Sequence, residues 1–269
     1  MRIRAKKRAL LLLSTLVALS AAGVANAQSL GKFGSNGFLE SDSNQPGSYS
    51  RISDPTATAP TSKVYRFSVS ADFCSSQKYK DGASDDCKFQ SVRSLLVEDV
   101  WKQNVLVQPD QLWYGWYMYL PADFPLKGKQ VSGQYMFAEF HNGQCPHLAL
   151  VNQTNESNSL YLVSNRALGG YRCAQDMKIK VGNLQQMLGR WVRFEMYVDW
   201  SKDDGAVELY VDGQAAVNYE GRTLTAGYED LNHFNFGMYL CCTAGVRLVQ
   251  DATVLFAGVK SASKRSGLK

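Results

Sequence analysis

The sequence predicts an all-β chain, folded as an antiparallel sandwich or barrel, on three observations. Many short stretches alternate apolar and polar residues with a period of two, turn residues separate them, and only Asn183 to Leu188 suggests a helical turn. The predicted strands are Lys63 to Ala71, Phe89 to Asp99, Leu112 to Leu120, Gln134 to His141, His147 to Val151, Ser159 to Val163, Trp191 to Trp200, Ala206 to Asp212, Phe234 to Cys241 and Thr253 to Val259. The Trp191 hairpin shows how the faces divide. Val192, Phe194, Met196, Val198 and Trp200 share one face with Val207, Leu209 and Val211 of the next strand, while Arg193, Glu195, Tyr197, Asp199, Glu208 and Tyr210 lie opposite. Asp203-Asp204-Gly205 and Asp212-Gly213 supply the turns. One face is core and the other wet, as a two-sheet sandwich requires.

The formal charge of +5 comes from the first residues. Met1 to Ala27 hold five basic residues and no acid, which leaves 24 basic against 24 acidic residues in the remaining 242. A body without net charge carries no general footprint for nucleic acid or anionic membrane, so attraction to an acidic ligand has to be local. The same residues read as a secretory signal: a basic start, an apolar run from Ala9 to Ala22, and the small-x-small site Ala25-Asn26-Ala27. An uncleaved anchor is the rival reading, but the run falls short of ~20 residues. Residues 28–260 are then expected to form one domain, with the Ser- and Gly-rich stretch Ser29 to Ser62 kept inside it and a basic tail over 261–269.

Export places all six cysteines where disulfides persist. The expected pairs are Cys74 with Cys87, across the polar loop Lys78 to Asp86, and Cys145 with Cys173. Cys241 and Cys242 are adjacent and would need a distorted backbone to bond each other, so one or both could join the other pairs. No C-x-x-C pair supports a zinc site. No cofactor is expected, and a structural calcium is left open.

Three strands carry residues with chemistry. In Phe234 to Cys241, Asn235 and Tyr239 face away from the apolar set on either side of Gly237, a gap where a ligand could approach. In Met136 to His141, Glu139 and His141 share a face ~7 Å apart, as a candidate acid and base. In the strand after Phe89, Arg93 stands on a sheet face where it either pairs with a carboxylate or receives an anion.

On these residues the sequence resembles the jelly-roll polysaccharide lyases, a family that includes heparin lyase I, glucuronan lyase and, more distantly, the alginate lyases. The resemblance rests on Arg93-Ser94-Leu95-Leu96, on Trp113 to Pro121, on Glu139-Phe140-His141 with Pro146 soon after, on Gly189-Arg190-Trp191 leading into its hairpin, and on Phe236-Gly237-Met238-Tyr239. It implies a concanavalin-like β-jelly-roll sandwich and β-elimination on a uronate-containing glycan; with the signal cleaved after Ala27, the expected protein is a monomer, secreted or periplasmic. Arg93 then stands near the substrate carboxylate, His141 serves as base or carboxylate partner, and Tyr239 acts as acid and often also as base, with its pKa lowered by Arg93. The four residues Arg93, Glu139, His141 and Tyr239 are expected to converge in one groove on the concave sheet, within reach of one sugar ring, and Trp113, Tyr117 and Tyr119 to stack on sugar rings.

The chain departs from the family pattern in three places: Leu95 replaces an acid, Glu139 a glutamine and Asn235 a lysine. Glu139 is then expected to orient Arg93 in place of the missing acid. Two other readings stay open. One is a carbohydrate-binding sandwich without catalysis. The other is a glycoside hydrolase, which needs two carboxyl groups ~5 to ~9.5 Å apart; Glu195 and Asp199 are ~13 Å apart along their strand.

Overall fold

The computed structural model describes residues 38–41, 44–70, 86–87, 91–98, 111–126, 131–132, 134–141, 143–152, 158–168, 172–225, 227, 232–241, 247–248 and 250–269. Among these, fourteen strands make two seven-stranded antiparallel sheets. The first sheet runs in the order β1 (Phe38–Glu40), β4 (Val92–Glu98), β14 (His233–Cys241), β7 (Gln134–His141), β8 (Leu148–Asn152), β9 (Ser159–Ala167) and β10 (Cys173–Asn183). The second runs β13 (Gln214–Glu220), β12 (Ala206–Val211), β11 (Trp191–Asp199), β5 (Gln111–Tyr119), β16 (Ala252–Ala262), β3 (Lys63–Val69) and β2 (Tyr49–Ser53). A two-stranded ribbon of β6 (Val131–Ser132) and β15 (Arg247–Leu248) completes the described strands.

Alternation builds the core between the sheets. Tyr114, Trp116 and Met118 of β5 and Val192, Phe194, Met196 and Val198 of β11 face Phe140, Leu150, Leu162, Phe234 and Phe236 of the first sheet, all buried. The Trp116 and Phe194 rings stack with centroids 5.5 Å apart, and the Trp200 indole N–H donates to the Tyr114 hydroxyl at 3.0 Å, which satisfies two buried polar groups at once. All ten predicted strands form, with ends shifted by a few residues, and the helical turn is a short 3-10 turn over Leu184–Gln186.

Two expectations for the second sheet change. Residues 261–269, expected as a basic tail, are part of the fold, because β16 continues to Ala262 and a 3-10 turn follows over Arg265–Leu268. Leu268 is buried, its methyl groups 3.1 and 3.2 Å from where a Cβ on Gly115 would stand. Glu195, placed on the wet face by parity, lies beneath this turn and is 4% exposed. Its carboxylate accepts from Arg193 at 2.7 Å and Arg265 at 2.9 Å, so two guanidinium groups compensate its burial.

Cys145 and Cys173 form the expected disulfide, tying the approach to β8 to the start of β10 across 28 residues. Cys87 and Cys241 are also disulfide-bonded. Cys74, Cys242 and the signal segment lie outside the described residues. Serine substitution of both Cys145 and Cys173 is expected to cost about 3–4 kcal/mol through the freed loop, read as a lower urea midpoint with an unchanged circular dichroism spectrum at zero urea. Among the described residues, no helix is long and apolar enough to cross a membrane.

Candidate active site

The outer face of the first sheet carries a row of polar side chains. Along β14, Phe234, Phe236, Met238 and Leu240 enter the core, so Asn235, Tyr239 and Cys241 face the other way. Register then assigns each its neighbours: Tyr239 pairs with Arg93 of β4, Asn235 with Glu139 of β7, and His233 with His141 of β7. All four predicted catalytic residues therefore stand on one face. They fall into three stations, however, with Arg93 and Tyr239 at one end, Glu139 in the middle and His141 at the other end. Six residues separate His233 from Tyr239, roughly 20 Å of extended strand.

The Tyr239 station is tightly built. The Arg93 guanidinium carbon lies 4.0 Å from the centre of the Tyr239 ring, a stacked cation–π contact. Asp86 takes the guanidinium edge from both sides, accepting from Nε at 2.6 Å and Nη2 at 2.5 Å. Asp86 is 2% exposed and the Arg93 side chain 13%. Sequence reading missed Asp86, because it stands in a loop where no strand parity applies. Its one signal was its place beside Cys87, whose disulfide pins the same short segment. Cys241, two residues past Tyr239, is likewise bonded. The Ser91 side chain hydrogen-bonds to the Tyr239 hydroxyl.

Burial is the largest influence on the Tyr239 hydroxyl and raises its pKa above that of free tyrosine. Arg93 opposes this, and Asp86 and Glu139 reinforce it. The net shift is upward, against the lowering expected from Arg93 alone, because burial outweighs the guanidinium charge and Asp86 offsets part of that charge. Tyr239 is thus a phenol at neutral pH, able to donate a proton.

At the middle station the Asn235 amide donates to Glu139 Oε1 at 3.0 Å. Both residues are buried, 6% and 5% exposed. Burial raises the Glu139 pKa, with the Asn235 hydrogen bond and the charges of Arg93 and His233 pulling it back. Glu139 does not orient Arg93; Asp86 fills that role, because it reaches the guanidinium edge from the loop while Glu139 lies across β14 against Asn235.

At the far end, burial and the charge of Arg93 lower the His141 pKa to about 4, so the imidazole is neutral at pH 7. Its Nδ1 accepts from the Gly143 backbone N–H at 2.9 Å, which leaves the ring proton on Nε2. His141 is therefore a hydrogen-bond donor toward this face.

Other expectations move. Trp113, Tyr117 and Tyr119 do point outward, but from β5 of the second sheet, away from this row. Trp113 packs against Tyr197 and Tyr210, Tyr119 against Trp191, and Arg193 lies over Tyr117. Parity specifies a face of a sheet and leaves open which of two sheets it is. The row's side of the molecule has Tyr161 instead, with the Lys178 ammonium 4.4 Å from its ring centre. Gly237 opens no ligand gap: it has φ +137°, and a Cβ there would meet the Ser94 carbonyl oxygen of β4 and the Phe67 ring. Glycine lets β14 bulge against β7 while keeping its register with β4.

The sequence of residues 28–256 matches the polysaccharide lyase family. The chain belongs to that family. Its fold is similar to that of an endo-β-1,4-glucuronan lyase from the fungus Trichoderma reesei, with TM-score 0.58 at 14% identity, covering 84% of this chain and 95% of that one. It is also similar to an alginate lyase from Klebsiella pneumoniae, with TM-score 0.52 at 12% identity, covering 86% and 88%. A search by sequence among curated proteins finds no match. The lyase is thus an enzyme whose partner is a polysaccharide, and the likeness in fold extends over most of its length.

Proposed function

We propose that this lyase is exported and cleaves a uronate-containing glycan by β-elimination, with Tyr239 carrying the proton. The observation that supports this most directly is the stacked Arg93–Tyr239 pair clamped by Asp86, a cation and a transferable proton held together on an outer sheet face. A uronate carboxylate brought against the Arg93 guanidinium would have its charge drawn off, making the proton on carbon 5 more acidic. The Tyr239 phenolate takes that proton, the C–H electron pair forms the C4–C5 double bond, and the C4–O bond breaks. The new phenol returns the proton to the departing oxygen, so atoms and charge balance. His141, on which the Arg93 charge also acts, offers its Nε2–H to the glycan from the same face. The disulfides among the described residues support an oxidising compartment.

The deciding experiment incubates the purified protein with glucuronan, alginate, heparin-type and bacterial exopolysaccharides, and follows the ultraviolet absorbance of unsaturated uronate ends. Growth of absorbance on a uronate polymer is expected; new reducing ends without it would mean hydrolysis, and retention with neither would mean binding alone.

The raised pKa of Tyr239 sets the sign of a pH prediction. Below that pKa the phenolate fraction rises tenfold per pH unit, so kcat/KM on the cleaved polymer is expected to climb through neutral pH into the alkaline range. A profile already flat at pH 6 would assign the base to a group such as Glu139 instead.

A further inference from the structure

Basic residues are unevenly placed along the chain. Of the 24 that follow Ala27, four (Lys260, Lys264, Arg265 and Lys269) stand in residues 260–269 with no acid among them, which leaves 20 basic against 24 acidic residues in 28–259. A polyuronate is therefore repelled by the net charge of the body and attracted at this one segment. The fold fixes that segment on the outer face of the second sheet, with the core between it and the row that carries Tyr239. Lys260 stands opposite Gly115 of β5, which pairs in turn with Glu195 of β11. The turn that follows lies over Gly115 with Leu268 buried, so the cations are held against the sheet.

Glu195 is bound by both Arg193 and Arg265. Lys264 is exposed at the start of the turn, and the Lys260 ammonium donates to the Lys269 carbonyl oxygen at 2.6 Å. Arg193, Lys260, Lys264 and Arg265 against the single carboxylate of Glu195 leave an excess of three positive charges. Beyond Arg193, Asp212 is taken by Arg190, and Asp199 and Glu208 bear on Tyr197 toward the other end of β11.

Aromatic rings adjoin these cations. The Arg265 guanidinium carbon lies 3.6 Å from the centre of the Tyr210 ring and 5.7 Å from that of Trp113, and Trp113 packs on Tyr197 with centroids 5.5 Å apart. All three rings are half-buried, so each keeps part of its surface in solvent. Sugar rings stack their C–H faces on aromatic side chains, and their carboxylates pair with guanidinium and ammonium groups. A membrane surface would need large apolar side chains able to enter it. The exposed ones among the described residues are Leu39, in β1, and Leu168, just past β9, both on the first sheet.

We propose that this face, around Trp113, Tyr197, Lys264 and Arg265, is a second binding site for a polyuronate chain, which holds the enzyme on its polymer while the first sheet does the chemistry. The class of ligand rests on the lyase reading given above.

The test uses the full chain with Tyr239→Phe, so that the polymer stays intact, and measures its apparent Kd from retardation in gels containing glucuronan or alginate. Lys260→Gln with Lys264→Glu changes three charges without touching the Glu195 pairs, and is expected to weaken binding about fivefold or more, an effect that added salt erases. Lys63→Gln with Lys202→Glu makes the same change in net charge at two other exposed positions and should weaken it less than about twofold. Tyr197→Ser, which removes a ring and no charge, is expected to weaken binding about threefold. With Tyr239 restored, the Lys260→Gln, Lys264→Glu protein should cleave a tetrasaccharide like the wild type and lose rate on dilute long polymer. Undiminished binding in either variant of the face, an equal loss in the Lys63, Lys202 control, tetrasaccharide cleavage falling in step, or no retardation by either polymer would each overturn the site. Binding that moves to phosphatidylglycerol vesicles instead would reassign the face to a membrane. Retardation that depends on this face, with no unsaturated ends from the wild type, would overturn the lyase reading and leave the site standing.

Discussion

Tyr239→Phe is expected to lower kcat by about a thousandfold or more while changing glycan affinity only a fewfold. The substitution removes one oxygen. The phenyl ring can still lie under the Arg93 guanidinium, and Asp86 still holds the other side of that cation. What is lost is the hydrogen bond with Ser91 and the proton that must travel from carbon 5 to the leaving oxygen. If binding and turnover fell together, Tyr239 would be a stacking or folding residue. If turnover survived, another group would carry the proton.

Asp86→Ala is expected to unfold or loosen the site rather than merely slow it. The Arg93–Asp86 pair is largely buried and bidentate, and removing one partner of such a pair leaves an uncompensated charge at a cost of about 3–5 kcal/mol. The expected readings are a marked fall in thermal midpoint and a loss of activity that saturating substrate does not restore. A double variant, Asp86→Ala with Arg93→Met, should regain stability without regaining activity, because it removes both charges together. Full activity in Asp86→Ala would show that the stack on Tyr239 alone positions the cation.

Besides the short ribbon of β6 and β15, the strands that sequence reading did not find are β1, β2, β10 and β13, and these are the four edges of the two sheets. The inner strands alternate cleanly because both neighbours and the opposing sheet constrain them. An edge strand such as Cys173–Asn183 has partial burial and two register shifts, so its polar residues break the period. The same logic governs the site. Arg93, Glu139, Asn235, His141 and Tyr239 were legible as outward residues of inner strands, where parity is strict. Their grouping into three stations depends on pairing register, which no single strand encodes. Asp86 arrives from a loop, and the burial of Glu195 comes from a turn dozens of residues away, so neither left a local trace.

The position of β16 has a consequence for biosynthesis. It lies between β5 and β3, joining two parts of the second sheet that have no other strand between them. Until residues 252–262 have left the ribosome, β2 and β3 cannot dock beside β5, and the sheet stays in two pieces with open edges. A nascent chain in that state has not reached its native fold. A product terminated before Ala252 would expose strand edges for proteolysis or aggregation rather than accumulate as a shortened enzyme.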